Sequence, residues 1–548
     1  MLKNQSLSTL EGHIYVSEHS DDEICRTDDK EETSDTSLSP PGSPLPSRPS
    51  QGSFNQTPVW PQSYRQSMDA YSSFASPGIS FLSPGLSHVS ASYISSSLRR
   101  RTKSTQKLSP LTATLLPTKS EKPETPKYEL IPSVEPKYPS SVAAEAAHGI
   151  KVGCSGTQAV LNGGINVLCG VGVLTTPYAV NEGGWLSLLV LLLLAIVSWY
   201  TGILLRRCLD NPLGLETYPD IGQAAFGMTG RFLVSIILYA ELYACCVEFL
   251  ILEGDNLSAL FPNARISLSG FRLTGTELFT VMTAIFVLPT VWLRNLSLLS
   301  YVSAGGVIAS ILVVLCVIWV GVVDGVGFHK TGPLLTLSNI PLSIGLYGFC
   351  YSGHAVFPNI YKSLKKPSQF TTVLTISFII CTTMYGGMAV MGFRMFGSNT
   401  ESQITLNLPK DLLASKIALW TTVVNPFTKY ALTITPVALS LEELFPLSFY
   451  SWRGYWVSMT IRTILVMSTL CVALLVPFFG YVMSLIGSLL SMLVCVILPA
   501  ACFLKLAGNA ANILEKIVCI FIVLIGIACA ASGTYSSLVG IIESFGNA

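Results

Sequence analysis

From about residue 155 onward the chain is a succession of apolar runs, each roughly 20 residues or longer, separated by short polar seams. A helix of that length crosses the ~30 Å hydrocarbon core of a bilayer. Inside lipid every backbone polar group needs an internal partner, so such runs fold as helices rather than open strands. Eleven are predicted, over 157–180, 184–206, 231–258, 276–293, 298–323, 339–361, 368–393, 411–437, 455–476, 479–504 and 514–540. The seams at 294–298 and 476–480 are the least sharply marked. Of 548 residues 50% are hydrophobic and only 12% charged, against about 25% charged in a soluble domain. An all-α polytopic membrane protein is therefore expected. The net charge of +1 offers no basic face for nucleic acid. Fourteen cysteines sit mostly within the apolar runs, without a CxxC pair. They read as packing residues, with no metal site, cofactor or oxidised framework implied. No charged n-region followed by an apolar h-region opens the chain, so the first span is expected to direct insertion.

Two of the runs carry the same interruption, 181 residues apart. The first reads Leu168-Cys169-Gly170-Val171-Gly172-Val173-Leu174-Thr175-Thr176-Pro177, and the sixth reads Tyr347-Gly348-Phe349-Cys350-Tyr351-Ser352-Gly353-His354-Ala355-Val356-Phe357-Pro358. In each a Gly stands five residues before a Pro. Glycine weakens a helix and proline removes one of its hydrogen bonds. Bare backbone at membrane depth is tolerated only where it is buried or lines a cavity. Small residues also let helices approach closely, which is the plainer explanation for one such segment. A matched pair in two halves points instead to the central site of a transporter. Around Gly170, Val171 and Gly172 a half-helix N-terminus would offer free N–H groups to a carboxylate. Gly348 to Gly353 would bring carbonyls, Ser352 and His354 from the other side.

Orientation follows from the basic residues. With the N-terminus cytosolic, the cytosolic connections hold Arg206, Arg207, Arg231, Arg294, Lys362, Lys365, Lys366, Arg453 and Lys505, and the opposite ones Arg265, Arg272, Lys330 and Lys410. That bias obeys the positive-inside rule. Spans one to five and six to ten then run in opposite senses, which is the arithmetic of an inverted five-plus-five repeat with one extra helix.

Charge within the spans supplies further candidates. Glu241 and Glu248 in span three are seven residues apart and share a helix face. An ionised acid at mid-bilayer costs roughly 2.5–3.5 kcal/mol on insertion scales, and one tolerated there usually faces the interior and is functional. Glu241 is the deeper and the better proton carrier; a purely structural carboxylate is the alternative. In span eight Pro426 should kink the helix, and Thr421, Thr422 and Asn425 are oxygen donors suited to a hard cation or a substrate amine. Lys429 either occupies a cation site or snorkels to the surface. His354 can titrate near neutral pH, or be a hydrogen-bonded interior residue.

Residues 1–145 are a different material, rich in Ser, Pro, Thr and charge, as in Ser39-Pro40-Pro41-Gly42-Ser43-Pro44. Such composition reads as a disordered tail with no apolar face to pack on the core, ahead of a membrane domain over 146–548. Within it Arg99–Ser104 has the form of a kinase site and Tyr128–Ile131 that of a sorting signal, so a kinase and a sorting adaptor are candidate partners. Each motif is short enough to carry no role at all.

Taken together, several stretches resemble the amino acid/auxin permease superfamily: Leu161-Asn162 through Pro177-Tyr178-Ala179, Glu182-Gly183-Gly184-Trp185, Tyr218-Pro219-Asp220-Ile221-Gly222, Ala225-Phe226-Gly227, the Ser352-Gly353-His354 run, and Asn425 to Tyr430. The branch they most resemble is the plant and fungal vacuolar amino-acid transporters, related to the vesicular inhibitory amino-acid transporter. The resemblance covers about residues 150–540. It implies a LeuT-type inverted repeat with eleven transmembrane helices. It also implies secondary transport of neutral amino acids in exchange for, or together with, protons, most naturally at the vacuolar membrane, with the plasma membrane or another endomembrane as the alternative. The substrate carboxylate would sit on Gly170, Val171 and Gly172. Its amine would face Tyr347, Gly348, Ser352 and Gly353. Proton or ion coupling would fall to Glu241, Glu248, His354, Thr421, Thr422, Asn425 and Lys429.

The competing reading is a membrane amino-acid sensor that keeps the site and signals through its tail. An ATP-driven pump is disfavoured by the lack of a Gly-x4-Gly-Lys-Ser/Thr loop. A channel is disfavoured by the two breaks, since channels favour continuous pores lined by like charge.

Overall fold

In the computed structural model the described residues are 155–264, 266–268, 271–293, 305–328, 330–445 and 452–547, together with Trp60, Pro61, Tyr64 and Met68. The chain begins its membrane domain with α1, made of Gly156–Gln158, a π-helical stretch Ala159–Ile165 and Asn166–Leu168. The backbone then leaves the helix at Cys169 (φ −75°, ψ 73°) and resumes as α2, Gly172–Gly183. There follow α3 (Ser187–Leu209), α4 (Tyr218–Leu260), α5 (Gly275–Trp292) and α6 (Gly306–Val322). The second half opens with another interrupted helix, α7 (Ile340–Cys350) and α8 (Phe357–Ser363). It continues through α9 (Phe370–Phe396), α10 (Leu413–Glu442) and α11 (Trp452–Leu475). The chain closes with α12 (Phe479–Ala507, π-helical over Ile486–Ile497) and α13 (Ile513–Asn547). The only strands among the described residues are β1 (Ile266–Leu268) and β2 (Phe271–Leu273), an antiparallel hairpin in register Ile266↔Leu273. This hairpin in the α4–α5 connection is the one exception to the all-α expectation.

Seven helices are long and apolar enough to cross a membrane among the described residues. The other four predicted runs are also helical, but α1/α2 and α7/α8 are broken, α6 has 17 residues and α10 carries Lys416 and Lys429 in its interior. The predicted seam at 476–480 is real, with non-helical backbone between α11 and α12, whereas 294–298 lies within the 294–304 stretch outside the described residues.

Outward faces are apolar, as a lipid-facing surface must be. Leu189, Leu192, Leu193 and Ile196 of α3, and Ile517, Phe521 and Leu524 of α13, are exposed. Inward faces carry small and polar residues that let backbones meet. At Gly487 of α12 an added Cβ would fall 1.9 Å from the Gly345 carbonyl oxygen and 2.7 Å from the Phe349 amide nitrogen. Helices α7 and α12 therefore touch backbone to backbone, and no side chain fits between them.

α4 begins with a capping box, in which the Thr217 hydroxyl accepts from the Asp220 amide and Asp220 accepts from the Thr217 amide. The helix bends at Gly227 (φ 70°, ψ −158°). Arg231 Nη1 reaches back across the bend to Asp220 at 2.5 Å and to Gln223 at 3.0 Å.

The expectation of a tail without an apolar face fails at Trp60, Tyr64 and Met68. Tyr64 and Met68 are 1% and 0% exposed and belong to the main hydrophobic core. Composition averaged over 145 residues conceals three large apolar side chains spaced by four. The Arg99–Ser104 and Tyr128–Ile131 motifs lie outside the described residues.

Candidate functional site

The two breaks face one another. In the first, three carbonyls at the end of α1 find side-chain partners, as backbone at membrane depth needs. Lys429 Nζ donates to the Asn166 carbonyl at 3.3 Å. The Tyr385 hydroxyl donates to Leu168 O, and the Ser310 hydroxyl to Cys169 O at 3.0 Å. The helix that resumes at Gly172 leaves its first N–H groups without intrahelical partners. The second break runs from Tyr351 to Val356, between the end of α7 and the start of α8. It begins three residues later than Gly348, which remains inside α7. The Tyr385 hydroxyl also lies 3.0 Å from Cys350 O at the rim of this second break. Cys350 Sγ in turn lies 3.5 Å from Gly172 O.

Between the breaks is a cavity of about 80 Å³ lined by Gly170, Val171 and Gly172 from the first, Ser352 and Gly353 from the second, Glu241 from α4 and Lys429 from α10. Glu241 is 4% exposed. Its Oε1 accepts from Ser352 Oγ at 2.5 Å and from Ser491 Oγ of α12 at 2.8 Å. An acid is thus held at the unwound backbone by hydroxyls from two separate elements.

A smaller cavity of about 20 Å³ lies behind the first break, lined by Gly170, Val171, Ser310, Thr421, Thr422 and Asn425 among others. The hydroxyls of Thr421 and Thr422 bond back to their own helix, at Ile417 O (2.7 Å) and Ala418 O (2.9 Å). Lys429 is buried, with 8% exposure, and bonded to span one, so it does not snorkel. A Cβ on Gly306 would meet Asn166 Oδ1 at 2.8 Å, Asn425 Oδ1 at 2.9 Å and Lys429 Cε at 3.3 Å, which gathers two amide oxygens around the ammonium stem.

Several expected site residues fall elsewhere. The Tyr347 hydroxyl is 3.1 Å from Ser187 Oγ of α3, and Gly348 packs on Gly487 and Met492 of α12. Both face away from the cavity, because they precede the break and keep the helical facing of α7. His354 also turns outward: its Nε2 lies 3.1 Å from Ser198 O and 3.1 Å from Thr201 Oγ1 of α3, and its ring packs on Phe357. It is an interior hydrogen-bonded histidine and does not line the cavity. Glu248 is fully buried and lines neither cavity; its carboxylate has no hydrogen-bond partner among the described residues. Sequence reasoning missed Tyr385, Ser310 and Ser491, the groups that tether the breaks and the acid. Nothing marks a hydroxyl in an apolar run as inward-facing until its helix is packed.

Two mutually facing broken helices around a cavity with a buried acid, set in a bundle of apolar helices, are the architecture of an integral membrane transport protein. The family described as transmembrane amino acid transporter protein matches residues 153–539, and the chain belongs to it. The chain is 55% identical over 503 residues to amino acid transporter AVT1C of Arabidopsis thaliana, covering 90% of this chain and 91% of that protein. It is 56% identical over 488 residues to amino acid transporter AVT1B of the same plant, covering 88% and 89%. A solved structure of a substrate-bound, outward-open Na+-coupled sialic acid symporter aligns at 10% identity with a TM-score of 0.42, over 70% of this chain and 92% of that one. Membership in a transporter family is consistent with the expectation that the protein is not an enzyme.

Proposed function

We propose that the protein is a secondary active transporter that carries amino acids, neutral ones in particular, across the vacuolar membrane, driven by the proton gradient. The substrate carboxylate rests on the N–H groups at Gly170–Gly172, and Ser352 and Gly353 meet the substrate from the opposite break. Glu241 carries the coupled proton. Transport proceeds by alternating access around the two breaks, with the N-terminus cytosolic and eleven crossings arranged as two inverted five-helix halves plus α13. Lys429 occupies a fixed cation position beside the first break and keeps its carbonyls engaged.

One observation supports this reading above the rest. Glu241 lies on the same cavity as both breaks and is bonded to Ser352 within one of them. A change in its protonation therefore alters a contact made by the substrate site itself, which is the differential interaction that coupling requires.

A second reading, a sensor that binds amino acids and signals through its tail, draws on the contact of Tyr64 with Ala355 beside that cavity. Purified protein in liposomes with an imposed pH gradient separates the two. Accumulation of labelled amino acid that collapses with a protonophore supports the carrier; saturable binding without flux supports the sensor and removes the carrier.

A further inference from the structure

Four residues of the tail are seated in the membrane domain, and the transport reading uses none of them. Trp60, Tyr64 and Met68 are spaced by four, and Tyr64 and Met68 are both buried in the main hydrophobic core. Their seat is built from three separate elements. At the start of α4, Arg231 donates from Nε to the Trp60 carbonyl at 3.1 Å and from Nη2 to the Pro61 carbonyl at 3.3 Å. The Trp60 ring stacks on Phe232 with centroids 5.8 Å apart and planes 17° from parallel, and lies 5.8 Å from the ring of Tyr239. At the end of α10, the Ser440 carbonyl accepts from Trp60 Nε1 at 2.9 Å. In the second break, the Ala355 carbonyl accepts from the Tyr64 hydroxyl at 3.2 Å, and the Tyr64 ring meets Tyr239 edge-on at 6.0 Å.

The position of this seat gives it meaning. Ala355 lines the central cavity. Tyr239, which touches both tail rings, stands two residues before Glu241 on α4. From Arg231 to Glu241 the helix rises about 15 Å, and the tail side chains meet it at Arg231, Phe232 and Tyr239. Tyr64 also satisfies a carbonyl left outside the helix by the break, a role a mobile substrate site would otherwise leave to solvent.

We infer that Trp60, Pro61, Tyr64 and Met68 form a clasp made from the chain's own tail. It closes the Arg231 side of the central cavity and ties the second break to α4 and α10. The site cannot open on that side until the clasp leaves, so the tail gates transport. The seat combines three ring contacts with four directed hydrogen bonds, which is more than loose apolar cover. Its occupant is attached to the same chain, so it binds intramolecularly and competes at high effective concentration with anything free in solution. This inference rests on the transport reading for its consequence, but not for the contact itself.

The test uses the full-length protein and the double variant W60A/Y64A, which alters the tail alone. A cysteine is placed at Ala355 in both backgrounds (A355C), and its reaction with a membrane-impermeant maleimide is followed in detergent by peptide-resolved mass spectrometry, so that native cysteines do not interfere. With one third of molecules unseated, labelling is expected to be about three-fold faster or more in the double variant. In liposomes, without A355C, initial amino-acid uptake by W60A/Y64A is expected to exceed that of the unaltered protein by about three-fold or more, the factor given by a competent fraction of one third. Equal labelling rates overturn the clasp. Faster labelling with unchanged or slower uptake overturns its gating role. If neither protein moves amino acid, the transport reading fails, and labelling alone decides whether the clasp exists.

Discussion

Ser352 Oγ lies 2.5 Å from Glu241 Oε1, which places a hydroxyl of one broken helix on an acid of its unbroken neighbour. Ser491 Oγ reaches the same oxygen at 2.8 Å. The substrate-facing backbone, the acid and α12 are therefore joined through one atom. Glu241→Gln keeps an oxygen for both hydroxyls to bond, so the fold should survive, but the amide releases no proton. Accumulation driven by a pH gradient should vanish while exchange of labelled for unlabelled amino acid persists. Gradient-driven accumulation at the unaltered level would remove Glu241 from the coupling role.

Among the described residues Tyr385 is the one hydroxyl that reaches both breaks, at Leu168 O and Cys350 O. Tyr385→Phe removes it with little change in shape; Leu168 O keeps the Gly170 N–H at 2.8 Å, whereas the buried Cys350 carbonyl loses this donor. The cost is expected at about 1–3 kcal/mol, visible as a lower melting temperature in detergent. Because the ring stays in place, the protein should still be purified in monodisperse form, with uptake reduced more than abundance. Unchanged stability and uptake would show that the bridge contributes nothing.

The two glycines of the first break are predicted to differ. A Cβ on Gly170 meets no atom within 4 Å, whereas one on Gly172 meets Cys350 Sγ at 3.0 Å and Cys350 Cα at 3.2 Å. Gly172 is a contact between the breaks, and Gly170 opens on both cavities. Gly172→Val should push α2 from α7 and lower both stability and uptake. Gly170→Val should leave the melting temperature nearly unchanged and abolish uptake, because it fills only the space left for substrate. Normal uptake by a well-folded Gly170→Val protein would move the carboxylate site elsewhere.

Much of this molecule is legible in its sequence for a physical reason: lipid permits few structures, so run length alone marks the helices. The breaks were legible because Gly and Pro act on the backbone directly, and Glu241 because charge is rare at that depth. Facing was not legible. Tyr347, Gly348 and His354 belong to the right segment, yet their side chains or Cα positions point at α3 and α12. A π-helical stretch such as Ile486–Ile497 shifts the facing of everything beyond it, and Ser491 lies within that stretch. Trp60 and Tyr64 were hidden for the opposite reason, as isolated aromatic residues in a polar tail whose partners lie some 170 to 380 positions away.

Arg462 and Glu442 form a second test of how polar groups are kept in this bundle, away from the cavity. Arg462 Nε donates to Glu442 Oε1 at 2.8 Å, its Nη1 donates to Val291 O at 2.7 Å, and Ser458 Oγ donates to the same Glu442 oxygen at 2.7 Å. Both side chains are about 5% exposed or less. The pair ties α10 to α11 and to the end of α5. Desolvating two charges nearly cancels their attraction, so the pair as a whole adds little, but either charge alone is costly. Arg462→Met should therefore destabilise by about 3–5 kcal/mol by stranding Glu442. The double change R462M/E442Q removes both charges and should recover most of that loss, with the amide still able to accept from Ser458. Uptake per folded molecule should change little in either protein, because neither residue lines a cavity. Melting temperatures in detergent decide the matter: a double variant as unstable as Arg462→Met would mean that the Val291 carbonyl contact, rather than the ion pair, holds these helices together.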